Sequence, residues 1–353
     1  MNILLVSAMA ENKNGGIGIW TKSFIKYCNQ MSIRYQFVNM DMVGDRKENL
    51  TAKRNICDEI VRTNRIFGSL KSSIEKEKYD VAHINTACGP FGIIRDWIIA
   101  KKINRRGIPI IIQYHCNVRD CVCSELSVFF LKKLVNLAKK NLVLNSDSKE
   151  FVQKYSKNSV DILPNFIDIS YVKSRKSINK HVSKIFYDGR IEIKKGAKEI
   201  FETARLCPEK NFILAGSMSD EAKKWNKPDN LYLMGVIEEK QIFDCLDDAD
   251  VFLFPSYTEG FSISLLESMA RGVPSIVTNV GANKDMIENK GGIIVNTGDV
   301  DGIVSAITQL EDYTTRNVMS KWLISKTQNT YTSSIVFEQL MMYYRNVGKV
   351  DKL

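Results

Sequence analysis

The stretch that most constrains this chain is residues 250–278, DVFLFPSYTEGFSISLLESMARGVPSIVT. Val251 to Phe254 is a short unbroken apolar run closed by Pro255, the pattern of a strand buried on both faces of a parallel sheet. From Ser262 the period turns helical. Ile263, Leu266 and Ala270 fall on one stripe, Gly272 is placed to end the helix, and Pro274 stands just beyond it. Pro274 to Val277 then reads as the next strand. A strand, a glycine-containing turn and a helix start make an anion site, because the first N–H groups of a helix have no partner within it and point outward. Ser262, Ile263 and Ser264 are placed to supply those donors. Two carboxylates frame the turn: Glu259 precedes the helix and Glu267 lies inside it, eight residues on.

The same alternation of strand-like and helix-like runs extends along the chain and predicts parallel sheets wound with helices. Strands are expected near 2–7, 35–40, 80–84, 109–114, 141–144 and 160–163, then near 184–187, 211–215, 230–234, 251–254, 275–278 and 292–295. With 353 residues and 44% hydrophobic content, two domains of ordinary size are the natural division. Open α/β sheets bind ligands at the carboxyl ends of their strands. There the sequence places Gly15 and Gly16, His83 and Asn85, His115, Gly189 and Arg190, Gly216 and Ser217, Gly235, and Glu259.

Charge separates the halves. Residues 1–166 hold 26 Lys+Arg against 15 Asp+Glu, a net of +11, whereas 167–353 hold 24 against 25, a net of −1. The first half is therefore expected to meet an anionic partner, a phospholipid surface or a phosphate-bearing acceptor. Residues 95–102 and 129–134 alternate aromatic, aliphatic and basic side chains as interfacial helices do, and the bland alternative is that their apolar faces pack on the sheet. Nucleic acid is disfavoured, since no recognised binding module accompanies the charge. No apolar run approaches the roughly 20 residues that span a bilayer, and Ile3 to Met9 lacks the features of a signal peptide. A cytoplasmic protein is expected, peripheral to the membrane's inner face if the basic half binds lipid. Eight cysteines without a regular framework suit reduced, mostly buried thiols. His115, Cys116, Cys121 and Cys123 do not repeat a zinc-knuckle spacing. Asp247, Asp248 and Asp250 imitate a D-x-D clamp but read as a solvated helix end. No metal or cofactor is expected.

The segment PSYTEGFSISLLESMARGVP resembles the retaining family-four glycosyltransferases of GT-B fold, whose pattern is P-S-x-x-E-G-F-G-x-x-x-L-E-A-M-A-x-G-x-P. It departs at Ser262, usually Gly, and at Ser268, usually Ala. The resemblance implies two Rossmann-like domains with parallel sheets facing across a cleft. An acceptor-side domain over 1–166 would be joined by a crossover helix at about 331–353, and a donor-binding domain would cover 167–330.

By the same resemblance, the loop Asn14 to Gly18, with Gly15 and Gly16, lies over the donor sugar and diphosphate. YDGRIEIKKG resembles the family's G-R-L-x-x-x-K-G, giving Arg190 and Lys195 the task of stabilising charge on the departing β-phosphate in place of a metal. Glu267 accepts both ribose hydroxyls, Glu259 faces the transferred sugar, Gly235 and Val236 meet the base, and His115 stands at the end of a first-domain strand. An imidazole at that place donates to a sugar hydroxyl or titrates near neutral pH; a satisfied structural histidine is the competing view. Gly281 to Asp285 resembles the family's G-G-x-P-E without its proline. The expected reaction moves a sugar, with retention, from a nucleoside diphosphate donor to a hydroxyl of a glycan or lipid-linked glycan, in surface polysaccharide or glycoconjugate assembly. The alternative is a catalytically silent nucleotide-binding scaffold subunit.

Overall fold

The computed structural model describes residues 1–9, 16–41, 56–174 and 178–349. Gly15 and its neighbour Asn14 therefore lie outside the described residues. Twelve strands are present among those described, at the places the apolar runs indicated: β1 Asn2–Ser7, β2 Arg34–Asn39, β3 Val81–Thr86, β4 Ile110–Tyr114, β5 Lys140–Val143, β6 Val160–Ile162, β7 Lys184–Asp188, β8 Asn211–Ala215, β9 Leu231–Gly235, β10 Val251–Phe254, β11 Ser275–Thr278 and β12 Gly292–Val295. They form two parallel six-stranded sheets, ordered β2-β1-β3-β4-β5-β6 and β12-β11-β10-β7-β8-β9. Every residue of β3, β4, β10 and β11 is buried, which is why these strands read as continuous rather than alternating apolar runs.

The chain divides into two compact units. Met1–Pro164 with the tail from Val336 makes the first, and Asn165–Ile335 makes the second. The tail helix, Ser333–Lys349, contributes core side chains to the first unit: Phe337 and Tyr344 are both buried, Phe337 meets Trp20 and Phe24 edge-on, and Tyr344 meets Phe24.

Both sheets reverse their direction of winding once, in the first unit between β1 and β3 and in the second between β7 and β10. At such a reversal the flanking helices leave to opposite faces and open a crevice beyond the carboxyl ends of the two strands. The residues of chemical interest follow these strands. In the second unit the β10 edge of the crevice is anchored from its other end. Asp250, 1% exposed, accepts bonds from Ser183 N at 2.8 Å, Lys184 N at 2.9 Å and Asn179 Nδ2 at 2.8 Å. Asp248 pairs with Lys184 and Asp247 with Arg271. The D-x-D look-alike is thus a structural clasp, and Asp250 is buried rather than solvated as expected.

The two basic-aromatic stretches lie on the helices Pro90–Asn104 and Glu125–Val135, which pack against each other through Trp97 and Phe130, their ring centroids 5.2 Å apart. Their inner faces, with Ile93, Ile99, Ile103, Leu131 and Leu134, are in the core. No helix among the described residues is long and apolar enough to cross a membrane. All eight cysteines are free; Cys28, Cys88 and Cys207 are buried, Cys57 and Cys123 are exposed, and the other three are half-buried, a more exposed set than the sequence suggested.

Candidate functional site

In the second unit the site starts from β7 and β10. After β7 the chain turns through Gly189 and Arg190 into a single turn of 3-10 helix, Ile193–Lys195, ended by Gly196 in the left-handed region. A Cβ on Gly196 would sit 2.1 Å from the Pro255 carbonyl oxygen, so only glycine lets this turn lie against the end of β10. Tyr257 N donates to Lys194 O at 3.0 Å and fixes the contact. As a result Lys195 Nζ lies 2.5 Å from Glu259 Oε1, with side chains 20% and 10% exposed. Gly281 supports Glu259 from behind: it has φ +54°, and a Cβ there would lie 2.2 Å from the Glu259 carbonyl oxygen.

The helix after this loop, Ile263–Ala270, is capped by Ser262, whose side chain accepts from Leu265 N at 3.1 Å. That leaves the first-turn N–H groups of Ile263 and Ser264 without intrahelical partners. Gly would leave Leu265 N uncapped as well, so Ser262 takes up one of the free donors of the helix start. The Ser264 hydroxyl donates to Asp188 Oδ2 at 2.7 Å and ties the helix start to the end of β7.

Among the described residues the Glu267 side chain has no hydrogen-bond or ion-pair partner. Burial, then the nearby Asp188 and Glu239 carboxylates, pushes its carboxyl up to about 8. Burial also raises Asp188 against the lowering effect of the Ser264 bond. Glu239 is engaged by the Tyr171 hydroxyl at 2.9 Å. Glu267 is therefore mostly protonated at neutral pH.

The carboxyl ends of β7, β8 and β9 are laced together: Gly189 N bonds to Ala215 O at 3.0 Å and Gly216 N to Gly235 O at 2.7 Å. A Cβ on Gly216 would lie 1.9 Å from the Gly189 carbonyl oxygen, so the lacing itself requires glycine there. Gly235 has φ +70° with open space at its Cβ position.

The corresponding region of the first unit holds a neutral network. The Thr21 hydroxyl donates to Ile17 O at 2.8 Å, so Ser7 Oγ donates to Thr21 at 2.7 Å and accepts from Asn85 Nδ2 at 2.9 Å. That fixes the Asn85 amide with its oxygen towards two imidazoles, His83 Nε2 at 2.9 Å and His115 Nε2 at 3.0 Å. Both Nε2 atoms must donate. Nδ1 of His83 then accepts from the Tyr344 hydroxyl at 2.5 Å, while Nδ1 of His115 is left as an acceptor. Burial pushes both imidazoles down to about 3, His83 against the raising bonds of Asn85 and Gln113, and His115 further lowered by His83. Trp20 covers them at 5.1 and 5.5 Å. His115 thus neither titrates near neutrality nor has a spare N–H, against both roles expected of it. His181, by contrast, is exposed and lies 3.6 Å from Glu311.

Residues 171–322 match the model of the family described as glycosyl transferases group 1. Over that stretch the chain is similar to the group 1 glycosyltransferases. The chain is 25% identical over 319 residues to the UDP-Gal:alpha-D-GlcNAc-diphosphoundecaprenol alpha-1,3-galactosyltransferase of Escherichia coli, covering 80% of this chain and 78% of that protein. Sucrose-phosphate synthase from Thermosynechococcus elongatus superposes with a TM-score of 0.79 at 16% identity, covering 99% of both chains. HepE of Anabaena, solved with UDP-glucose, superposes with a TM-score of 0.72 at 13% identity, over 98% of this chain and all of that one. The fold is GT-B.

Within the matched stretch the structure pairs Lys195 with Glu259, three residues before the Ser262 cap, and carries Ile263, Ser264 and Glu267 on the helix that follows. Arg190 is 61% exposed and pairs with Glu192 at 3.1 Å. Gly16 opens the helix Gly16–Gln30, with open space at its Cβ position, so the protein itself imposes no need for glycine there. Sequence reasoning missed Asp188 as a partner of Ser264, although an acid directly before the Gly189–Arg190 turn was a signal. It missed Tyr344, for which there was none. Among the described residues no three His, Cys, Asp or Glu side chains form a group that could hold a metal.

Proposed function

We propose that this glycosyltransferase moves a hexosyl or related sugar, with retention and without a metal ion, from a nucleoside diphosphate to a hydroxyl of a glycan or lipid-linked glycan, in assembly of a surface polysaccharide or glycoconjugate. The observation that carries this reading is the Lys195–Glu259 pair beside the start of helix 263–270, inside the family-matched stretch. A galactosyltransferase relative named for UDP-Gal and a diphosphoundecaprenol-linked sugar, and a fold neighbour solved with UDP-glucose, support the donor and acceptor classes.

In the proposed reaction the bond from the anomeric carbon to the β-phosphate oxygen breaks as the acceptor hydroxyl attacks from the same face. Its proton passes to the departing phosphate, so no separate general base is needed. Lys195 and the N–H groups of Ile263 and Ser264 stabilise the charge that grows on that phosphate. Arg190 joins them by leaving Glu192. Glu259 orients Lys195 and faces the sugar. Glu267 loses its proton as the ribose hydroxyls donate to it. His115, through Nδ1, accepts from a sugar hydroxyl rather than donating to one.

A thermal-shift screen of nucleoside diphosphates and nucleotide sugars selects the donor, because a ligand of the folded state raises its apparent stability. NMR of the transfer product then reads the anomeric configuration, with and without EDTA. An inverted product contradicts retention, and activity lost to EDTA and restored by magnesium contradicts metal independence. Nucleotide binding with no transfer or hydrolysis of any donor returns the reading to a silent scaffold.

A further inference from the structure

We infer that the outer face shared by helices 90–104 and 125–135 docks onto an anionic phospholipid surface. A surface helix normally carries one apolar stripe, facing the core. Helix 90–104 has a second. Ile93, Ile99 and Ile103 fill the core, and Ile94 and Trp97 pack half-buried against it, while Ile98 is half-buried and Phe91 is 63% exposed. Helix 125–135 repeats the arrangement: Leu131 and Leu134 are buried, yet Leu126 and Phe129 are 60% and 51% exposed. Trp97, Phe129 and Phe130 join the two helices into one patch.

Charge identifies the occupant. Lys133 Nζ lies over the Phe129 ring at 4.7 Å and the Trp97 ring at 5.7 Å, and Lys101 Nζ lies over Trp97 at 5.2 Å. Two ammonium groups are thereby held at the rim of the aromatic patch, while the exposed Lys102 and Lys132 lie over Phe67 and Tyr155. The acids on these helices do not offset them: Asp96 is buried against Arg95, and Glu125 stands at the far, N-terminal end of its helix. Lysines suit helix C-termini for the sake of the macrodipole alone, but that accounts for the lysines and not for the exposed aromatics. Apolar side chains that enter the acyl boundary, ringed by ammonium groups at headgroup height, fit an anionic bilayer. A protein partner or a second copy would meet the same patch without requiring a cationic rim.

The test is flotation of the full chain with phosphatidylcholine vesicles, with and without phosphatidylglycerol, over a series of salt concentrations. Binding is expected with phosphatidylglycerol only, and to weaken as salt rises. Lys101→Glu with Lys133→Glu should lower the affinity by at least about tenfold; the same reversal at the exposed Lys223 and Lys224 of the other unit should leave it within about twofold. Phe129→Trp, followed by quenching with brominated lipids and compared with the parent chain, reports whether the patch enters the bilayer. Thermal melting verifies that each variant folds. Equal loss from both lysine pairs means diffuse adsorption of a basic protein, and an added indole that brominated lipid leaves unquenched means no insertion; either overturns the proposal. A concentration-dependent dimer by light scattering, abolished by Phe129→Ser, assigns the face to a second copy and overturns it as well. None of these readings depends on the donor or the reaction.

Discussion

The two carboxyl-end crevices share a topology and differ in chemistry. In the second unit the crevice holds charge in suspended form: Lys195 is matched to Glu259, Arg190 to Glu192, and Glu267 is kept protonated beside Asp188. In the first unit the described residues in and after β1, β3 and β4 form a neutral network. His83, Asn85, Ser7 and Thr21 satisfy one another as neutral groups, and burial keeps both imidazoles uncharged. A site that receives a diphosphate needs cations and ionisable partners whose state changes on binding. A site that receives only hydroxyls needs fixed donors and acceptors whose state does not.

The hardest test of this contrast is Lys195→Ala. If the second unit works by electrostatics, kcat falls by about 10²–10³ while UDP still binds; a loss below about tenfold removes Lys195 from the chemistry. Next, Glu267→Ala should weaken UDP binding by about 1.5–3 kcal/mol, the range for hydrogen bonds to charged groups. With the carboxyl pushed up to about 8, and ionised on binding as proposed, UDP binding should release a proton at neutral pH. Affinity should then fall as pH drops below about 8, by at most about tenfold per pH unit. Calorimetry in buffers of different ionisation enthalpy measures this, and Glu267→Gln should abolish the release.

The neutral first unit predicts a stability effect. The pKa of His83 is depressed on folding, so the unfolded chain binds its proton first, and stability is full above about 6.5 and lost as pH falls from there towards about 3. By pH 5 the loss from His83 is about 2 kcal/mol, read as a shift of the urea midpoint. Acid unfolding unchanged in His83→Gln would refute it. Smallest of all, Glu192→Gln frees Arg190 from an exposed pair worth about 0–1 kcal/mol, and UDP should bind slightly more tightly, by less than about tenfold.

Much of this was legible in the sequence, unevenly. All the strands were, because parallel strands buried on both faces become unbroken apolar runs, as in Ile110–Tyr114 and Val251–Phe254. The Lys195–Glu259 pair was within reach because both residues sit on short loops after strands that the topology makes neighbours. Three things were not legible. The protonated state of Glu267 depends on its burial and on the Asp188 and Glu239 carboxylates, which come from two other segments. The tautomer of His115 depends on a chain of hydroxyls running back to Thr21. Gly216 looked like a ligand contact at a strand end, yet its neighbour in space is the Gly189 carbonyl.

The tail helix has a consequence for synthesis. Phe337 and Tyr344 complete the aromatic core around Trp20, Phe24 and His83, residues made some 250 or more positions earlier. A ribosome delivers the whole of Asn165–Ile335 before those side chains emerge, so the unit begun first is the one finished last. Until then the Tyr344 site against His83 and the pocket for Phe337 stand open. A nascent or truncated chain ending near residue 335 should fold its second unit and leave the first waiting, an inverted order in which a later segment acts as the closing strap on an earlier one.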